Sequence, residues 1–206
     1  MTDGLRQVPL LSDGTVTLRP WARNDGKFLS EASADPAVRR YNGPLDRLGY
    51  PATPPSVDDA EAMIERFQSN WRAFTQTGIP SGAAFTIVDV ASGELAGCCG
   101  VDDWSKTDVA QFGYWLAPQA RGHGFATRAA VLLTRWLFGL GAARVVLTII
   151  AGNDESVAVA RRAGFTYEGT MRSHAVWRGE RCDVTWFAAV APEWPGGASS
   201  GEHAVS

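Results

Sequence analysis

The alternation of apolar and polar positions divides the chain into strand-like and helix-like stretches. TVTLRPW (15–21) alternates and is β-branched, which predicts a first strand closed by Pro20. Short helices are expected between Asn24 and Tyr41, followed by a loop over GYPATPPS (49–56), which is dense in proline and glycine. Ser56 then reads as an N-cap with Asp58, Asp59 and Glu61 in the first turn, where the helix dipole favours negative charge. Ala60, Met63, Ile64, Phe67, Trp71 and Phe74 recur at helical spacing, and Gly78 and Pro80 end the run.

From Ala83 the period shortens. AAFTIVDV and LAGCCGVDDW flank the turn ASGE, a hairpin pattern, and VAQFGYWLA (109–117) reads as the next strand. A second amphipathic helix carries Phe125, Ala129, Leu132, Leu133, Trp136, Leu137 and Leu140 on one face. ARVVLTII (143–150) is almost continuously apolar, as a central strand would be. A short helix over about 154–163 and the strands GFTYEGTMR and CDVTWFAAV complete the order. That order predicts an α/β chain with a mixed sheet and helices on both faces. The main body is expected over residues 1–192, with a flexible C-terminal tail over the glycine-rich 193–206.

Composition narrows the function classes. Lys and Arg number 19 against 22 Asp and Glu, a net charge of −3, so no overall basic field favours nucleic acid. Cys98, Cys99 and Cys182 have neither zinc-ligand spacing nor the look of a disulfide framework. No metal site is expected, and a reducing compartment fits. Residues 1–11 lack a basic start followed by an apolar run, and no stretch approaches the ~18 apolar residues of a membrane span. A cytoplasmic protein without membrane contact is expected, as monomer or homodimer.

The junction between the third hairpin-region strand and its helix holds the candidate chemistry. LAPQARGHGFAT (116–127) is a glycine-flanked bend running into a helix N-terminus, where free N–H groups suit a phosphate. A nucleotide P-loop would need a lysine after the second glycine, and none follows Gly124. A dinucleotide fingerprint would need a third glycine where Thr127 stands, and an acidic residue that RVVLTII does not supply. Gln119, Gly122 and Gly124 instead match Q-x-x-G-x-G.

Here the chain resembles the GNAT acyltransferase superfamily, and more narrowly its ribosomal-protein N-terminal acetyltransferase branch. NDESVAVARRAGFTYEGTMR (153–172), TVTLRPW and FGYWLAP carry the same resemblance, which spans about 15–194. It implies a single-domain GNAT fold: a mostly antiparallel sheet of about seven strands, splayed at its centre. It also implies acetyl-CoA as co-substrate. The backbone amides of Arg121, Gly122, His123, Gly124, Phe125 and Ala126 would bind the pyrophosphate, with the side chains of Arg121, His123 and Thr127 beside it. The Leu116 backbone would pair with the pantetheine arm and aim an N–H at the thioester oxygen, and Asn153 would meet the arm from the far side. Ser156 is the implied acid for the departing thiolate.

Aminolysis of a thioester requires a neutral amine, a polarised carbonyl and a stabilised leaving sulfur. An α-amine, with a pKa near 7.7–8.0, is partly neutral at physiological pH and needs less help from a base than a lysine. Where many relatives place a carboxylate, this chain has Gln111, and where many place a tyrosine it has Ala160. Asp102 and Asp103 are the candidate bases through water, with Glu94 behind them. Each candidate also has a plainer structural role: the glycines serve turns, Asn153 caps a helix, the aspartates end a strand, and Cys98 and Cys99 fill a sheet. Trp104, Trp177 and His174 are placed near the acceptor. The function classes left open are an N-acetyltransferase for a protein N-terminal α-amine, an acyltransferase for a small amine, and a non-catalytic CoA-binding regulator.

Overall fold

The structure is a computed structural model in which residues 7–41, 53–177 and 179–197 are described. It contains an eight-stranded sheet in the order β1-β2-β3-β4-β5-β6-β8-β7. β1 (Leu11–Ser12) and β2 (Val16–Pro20) precede α1 (Gly26–Ser33) and α2 (Pro36–Tyr41). The long α3 (Val57–Thr77) leads to β3 (Ala84–Asp89), β4 (Leu95–Trp104) and β5 (Val109–Leu116). α4 (Phe125–Gly139), β6 (Arg144–Ile150), α5 (Asp154–Arg162), β7 (Thr166–Trp177) and β8 (Glu180–Val190) follow. Two-residue β1 is too short to show alternation in sequence. Its turn is tied by Asp13, whose Oδ1 accepts the N–H groups of Thr15 and Val16.

Local chemistry explains the element ends. The Ser56 hydroxyl accepts the Asp59 N–H while the Asp59 carboxylate accepts the Ser56 N–H, a reciprocal cap for α3. Gly78, at φ +74°, closes the same helix in the left-handed conformation that favours glycine. Of the expected loop 49–56, the first four residues lie outside the described set.

Strand alternation builds a core on each face of the sheet. Phe85, Ile87, Cys99, Val101 and Phe112 pack with Ala129, Leu133 and Leu137 of α4. Ala84, Cys98 and Trp115 face the other way, against Trp21 after β2, Leu29 of α1 and Ile64 of α3. Each large side chain fully buried in this way contributes about 1.5–3 kcal/mol.

All strand pairs are antiparallel except β5 with β6. That parallel pair is registered only from Val109 to Gln111 against Arg144 to Val146. β5 continues to Leu116 beside β4, and β6 continues to Ile150 beside β8, so the sheet opens between them. The central splay implied by the resemblance is therefore present.

One expected boundary moves. Trp194 lies inside the segment read as tail, yet it is buried, edge-on to Phe138, and donates from Nε1 to the Ala163 carbonyl at 2.9 Å. Pro195–Gly197 form a further 3-10 turn beyond it. The small polar composition around this tryptophan conceals a packed anchor, while residues 198–206 lie outside the described set.

Candidate functional site

A continuous cleft of about 1680 Å³ runs through the split in the sheet. Its first wall is the loop between β5 and α4. Gly122 and Gly124 adopt φ +80° and +77°, and no atom lies within 4 Å of where a side chain would start at either. α4 has no side-chain cap, and its first intrahelical bond runs from Arg128 N to Gly124 O. By helix geometry the N–H groups of Phe125, Ala126 and Thr127 have no acceptor within the helix. Open space over glycine and unspent amides at the positive end of a dipole form a cradle for a phosphate.

Gly122, Gly124, Phe125, Ala126 and Thr127 line the cleft. His123 does not; it is exposed and stacks on Phe125 with ring centroids 5.5 Å apart. Arg121 lines the cleft as well. Its guanidinium turns inward, where Nη2 donates to the Leu116 carbonyl at 3.1 Å and to the Asp35 carboxylate. Asp35 in turn accepts the Ala37 and Val38 N–H groups at the start of α2. Arg121 thus braces the loop against α2 through Nη2.

The second wall is the freed backbone of β5. The Ala117 N–H is spent on the Ala96 carbonyl of β4 at 2.9 Å. Peptide groups alternate along a strand, so the Leu116 N–H and carbonyl face the split. At its opening, the Gln111 amide donates from Nε2 to Thr148 Oγ1 at 3.3 Å, spanning β5 and β6.

The third wall is the start of α5. Asn153 caps this helix by accepting the Ser156 N–H at its Oδ1, 3.2 Å away. Its Nδ2 has no protein partner among the described residues. Asn153 and Ser156 both line the cleft.

The two candidate aspartates are separated by a bulge. Val101 pairs with Phe112 and Asp103 with Gln111, leaving Asp102 as the extra residue. Asp102 lines the cleft and Asp103 does not. Gly113 makes the room: a side-chain carbon there would stand 3.2 Å from Asp102 Oδ2. The carboxylate reaches water through the open cleft but is crowded by protein on its other sides. That desolvation, with repulsion from Asp103 added, pushes its pKa up to about 6. Glu94 is exposed in the β3–β4 turn and does not line the cleft.

Leu29, Val38, Met63, Phe67, Trp115 and Val184 give the cleft an apolar lining as well. Trp177 lines it too and donates from Nε1 to the Arg40 carbonyl at 2.6 Å, joining the β7–β8 hairpin to α2. Trp104 packs on the core instead, and His174 is exposed, edge-on to Trp186. Cys98 reaches the cleft, but burial pushes its thiol up to about 12, so it remains a protonated sheet residue. Sequence reasoning missed Gly113, Trp115, α2 and Tyr114 as cleft residues. The only signal for Tyr114 is its place on the strand leading into the loop.

A sheet opened between two parallel strands, with a glycine cradle and helix amides at one mouth, defines a site for a phosphate-bearing ligand. The acetyltransferase (GNAT) domain model matches residues 15–166, and the chain belongs to that family. It is 31% identical over 141 residues to YdaF of Bacillus subtilis (strain 168), by name a candidate ribosomal N-acetyltransferase, covering 66% of this chain and 74% of that one. A GCN5-related N-acetyltransferase from Brucella melitensis superposes with a TM-score of 0.71 at 25% identity, over 93% of this chain and 82% of that one. RimJ of Mycobacterium smegmatis, solved in complex with CoA-disulfide, superposes with a TM-score of 0.73 at 23% identity, over 94% and 91%. Among the described residues no group of His, Cys, Asp or Glu is arranged to hold a metal, and no helix is long and apolar enough to cross a membrane.

Proposed function

We propose that this protein transfers an acetyl group from acetyl-CoA directly to the neutral form of a primary α-amine, with a protein N-terminus as acceptor. The observation that carries this reading is the split itself. Unspent amides and open glycines lie at one mouth, and a carboxylate with a raised pKa stands at the other, on the apolar side. The pyrophosphate seats on the amides of Gly122 to Thr127. The pantetheine arm runs along β5 to Leu116, whose N–H polarises the thioester carbonyl. Asn153 meets the arm from α5, and Ser156 faces the sulfur.

The amine enters over the apolar wall. Asp102, ionised above pH 6, takes the proton released as the C–N bond forms, directly or through a water. An α-amine is partly neutral at physiological pH, so a weak base suffices. Among the described residues that line the cleft, Asp102 is the one carboxylate away from the α5 wall, where Asp154 and Glu155 stand. A polyamine or aminoglycoside carries several cations and would find one partner here. A single amine beside an apolar residue fits better.

Calorimetry with acetyl-CoA, followed by thiol release over an acceptor panel, tests the reading. The panel holds peptides with free and blocked N-termini, a polyamine and an aminoglycoside. Release with free N-terminal peptides above hydrolysis is expected, and none with blocked ones. Preference for the polycations would overturn the acceptor class. Binding without release from any amine would make the protein a CoA-binding regulator.

A further inference from the structure

Among the described residues, α3 and the strands β3, β4 and β5 give the cleft one charged side chain, Asp102. The strand register places its surroundings. Gly100 pairs with Gly113 beside the bulge, and Cys98 pairs with Trp115 two residues further along the same face. A strand rises about 3.3 Å per residue, so Trp115 stands roughly 7 Å along β5 from Gly113. Neither glycine carries a side chain, so bare backbone forms the floor between the carboxylate and the indole. The Asp102 charge also bears on the Cys98 thiol, which puts the two on one side of the sheet. Met63 and Phe67, one turn apart on α3, line the same cleft and pack on the same cluster as Cys98 and Trp115. Met63, Phe67 and Trp115 are each half-buried, so part of their apolar surface is left to the cleft.

We propose that Met63, Phe67 and Trp115 form a subsite for the side chain of the acceptor's first residue, which selects an apolar side chain of the length of leucine or methionine. The inference rests on the acetyl-transfer reading above and narrows its acceptor class. With the amine at Asp102, the first residue lies over the Gly100–Gly113 pair and its side chain runs along β5 toward Trp115. A long apolar side chain takes the exposed parts of Met63, Phe67 and Trp115 out of water. Glycine, alanine or serine in that place would leave them wet. Aspartate or lysine would lose its hydration and find no partner except Asp102, which the amine already occupies. Met63 is the wall member to alter, because Phe67 and Trp115 are each bound into the fold through Trp21, at 6.4 Å between ring centroids.

The test measures kcat/KM for thiol release from acetyl-CoA with peptides that differ only in their first residue: Met, Leu, Gly, Ser, Asp or Lys. The wild type should favour Met and Leu over Gly and Ser by about 10-fold or more, and over Asp and Lys by more still. Met63→Glu should shrink the Met-over-Gly ratio to within about 2-fold of one and raise kcat/KM for the Lys peptide. Met63→Leu should keep the wild-type ranking. Melting curves and the Kd for CoA show whether each variant retains its fold and its donor site. A gain with the Lys peptide is a result that damage to the fold would not produce. Equal rates with Met and Gly peptides in the wild type, or a preference for Gly or Ser, would overturn this inference and leave acetyl transfer standing. A folded Met63→Glu protein with the wild-type ranking would overturn it as well. Should Met63→Glu not fold, the wild-type ranking decides. Thiol release with no peptide at all would remove the acetyl-transfer reading with it.

Discussion

Asp102 is exposed to the cleft, yet its carboxyl titrates away from its ordinary range. Crowding by protein and repulsion from Asp103 raise its pKa to about 6, against 3.8 for the ordinary side chain. A carboxylate that binds its proton more tightly when folded makes the folded state less stable as pH rises through that range. The cost is greatest above pH 6 and absent below the unfolded value. Asp102→Asn should therefore raise Tm at pH 8, with little change at pH 4. The same substitution should lower kcat/KM about 10-fold or more and abolish an inflection near pH 6. An Asp102→Asn protein less stable at pH 8, with the acid limb of its pH profile intact, would return this residue to strand structure. Sequence brought this carboxylate within a pair but could not choose between its members. The choice depends on a bulge, which is a property of two strands in register, and on the space above Gly113 across that register.

Elements whose requirements are local were legible in the sequence. Gly122 and Gly124 announce positive φ beside a helix start, Asn153 before two acids announces a cap, and Ser56 with Asp59 announces another. What stayed hidden depends on partners distant in the chain. Arg121 lies in the motif, yet its side chain answers to Asp35, 86 positions away. Trp194 reads as the start of a polar tail until Phe138 and the Ala163 carbonyl are beside it. The glycine cradle can be tested with its own control. Gly122→Val adds a branched side chain at φ +80°, and Gly93→Val does the same at φ +74° in the β3–β4 turn, where space is equally open. Both should lose about 1–2 kcal/mol of stability from backbone strain. Only Gly122→Val should weaken CoA binding, by 10-fold or more in calorimetry. Equal affinities in the two variants would reduce the motif to a turn.

At the scale of the molecule, each face of the sheet has its own core, and the split is the break in sheet pairing between β5 and β6. β4 and β8 hold the outer edges of the parted strands, while β5 and β6 lose each other after Gln111 and Val146. Backbone groups facing the gap, such as the Leu116 N–H, are unpaired within the sheet. A donor that runs along β5 and is met by Asn153 from α5 completes the interrupted ladder. Binding to the folded state alone also raises stability as RT ln(1 + [L]/Kd), about 2.7 kcal/mol at 100 times Kd. Acetyl-CoA at that excess should therefore raise Tm by several degrees and slow amide exchange at Leu116 and along 122–127. The β2–β3 pairs on the far side of β4 should change no more than the global stabilisation requires. That comparison separates bridging from general tightening. Protection spread evenly over the sheet would mean that the donor stabilises the fold without spanning the gap, and the function of the split would need another ligand.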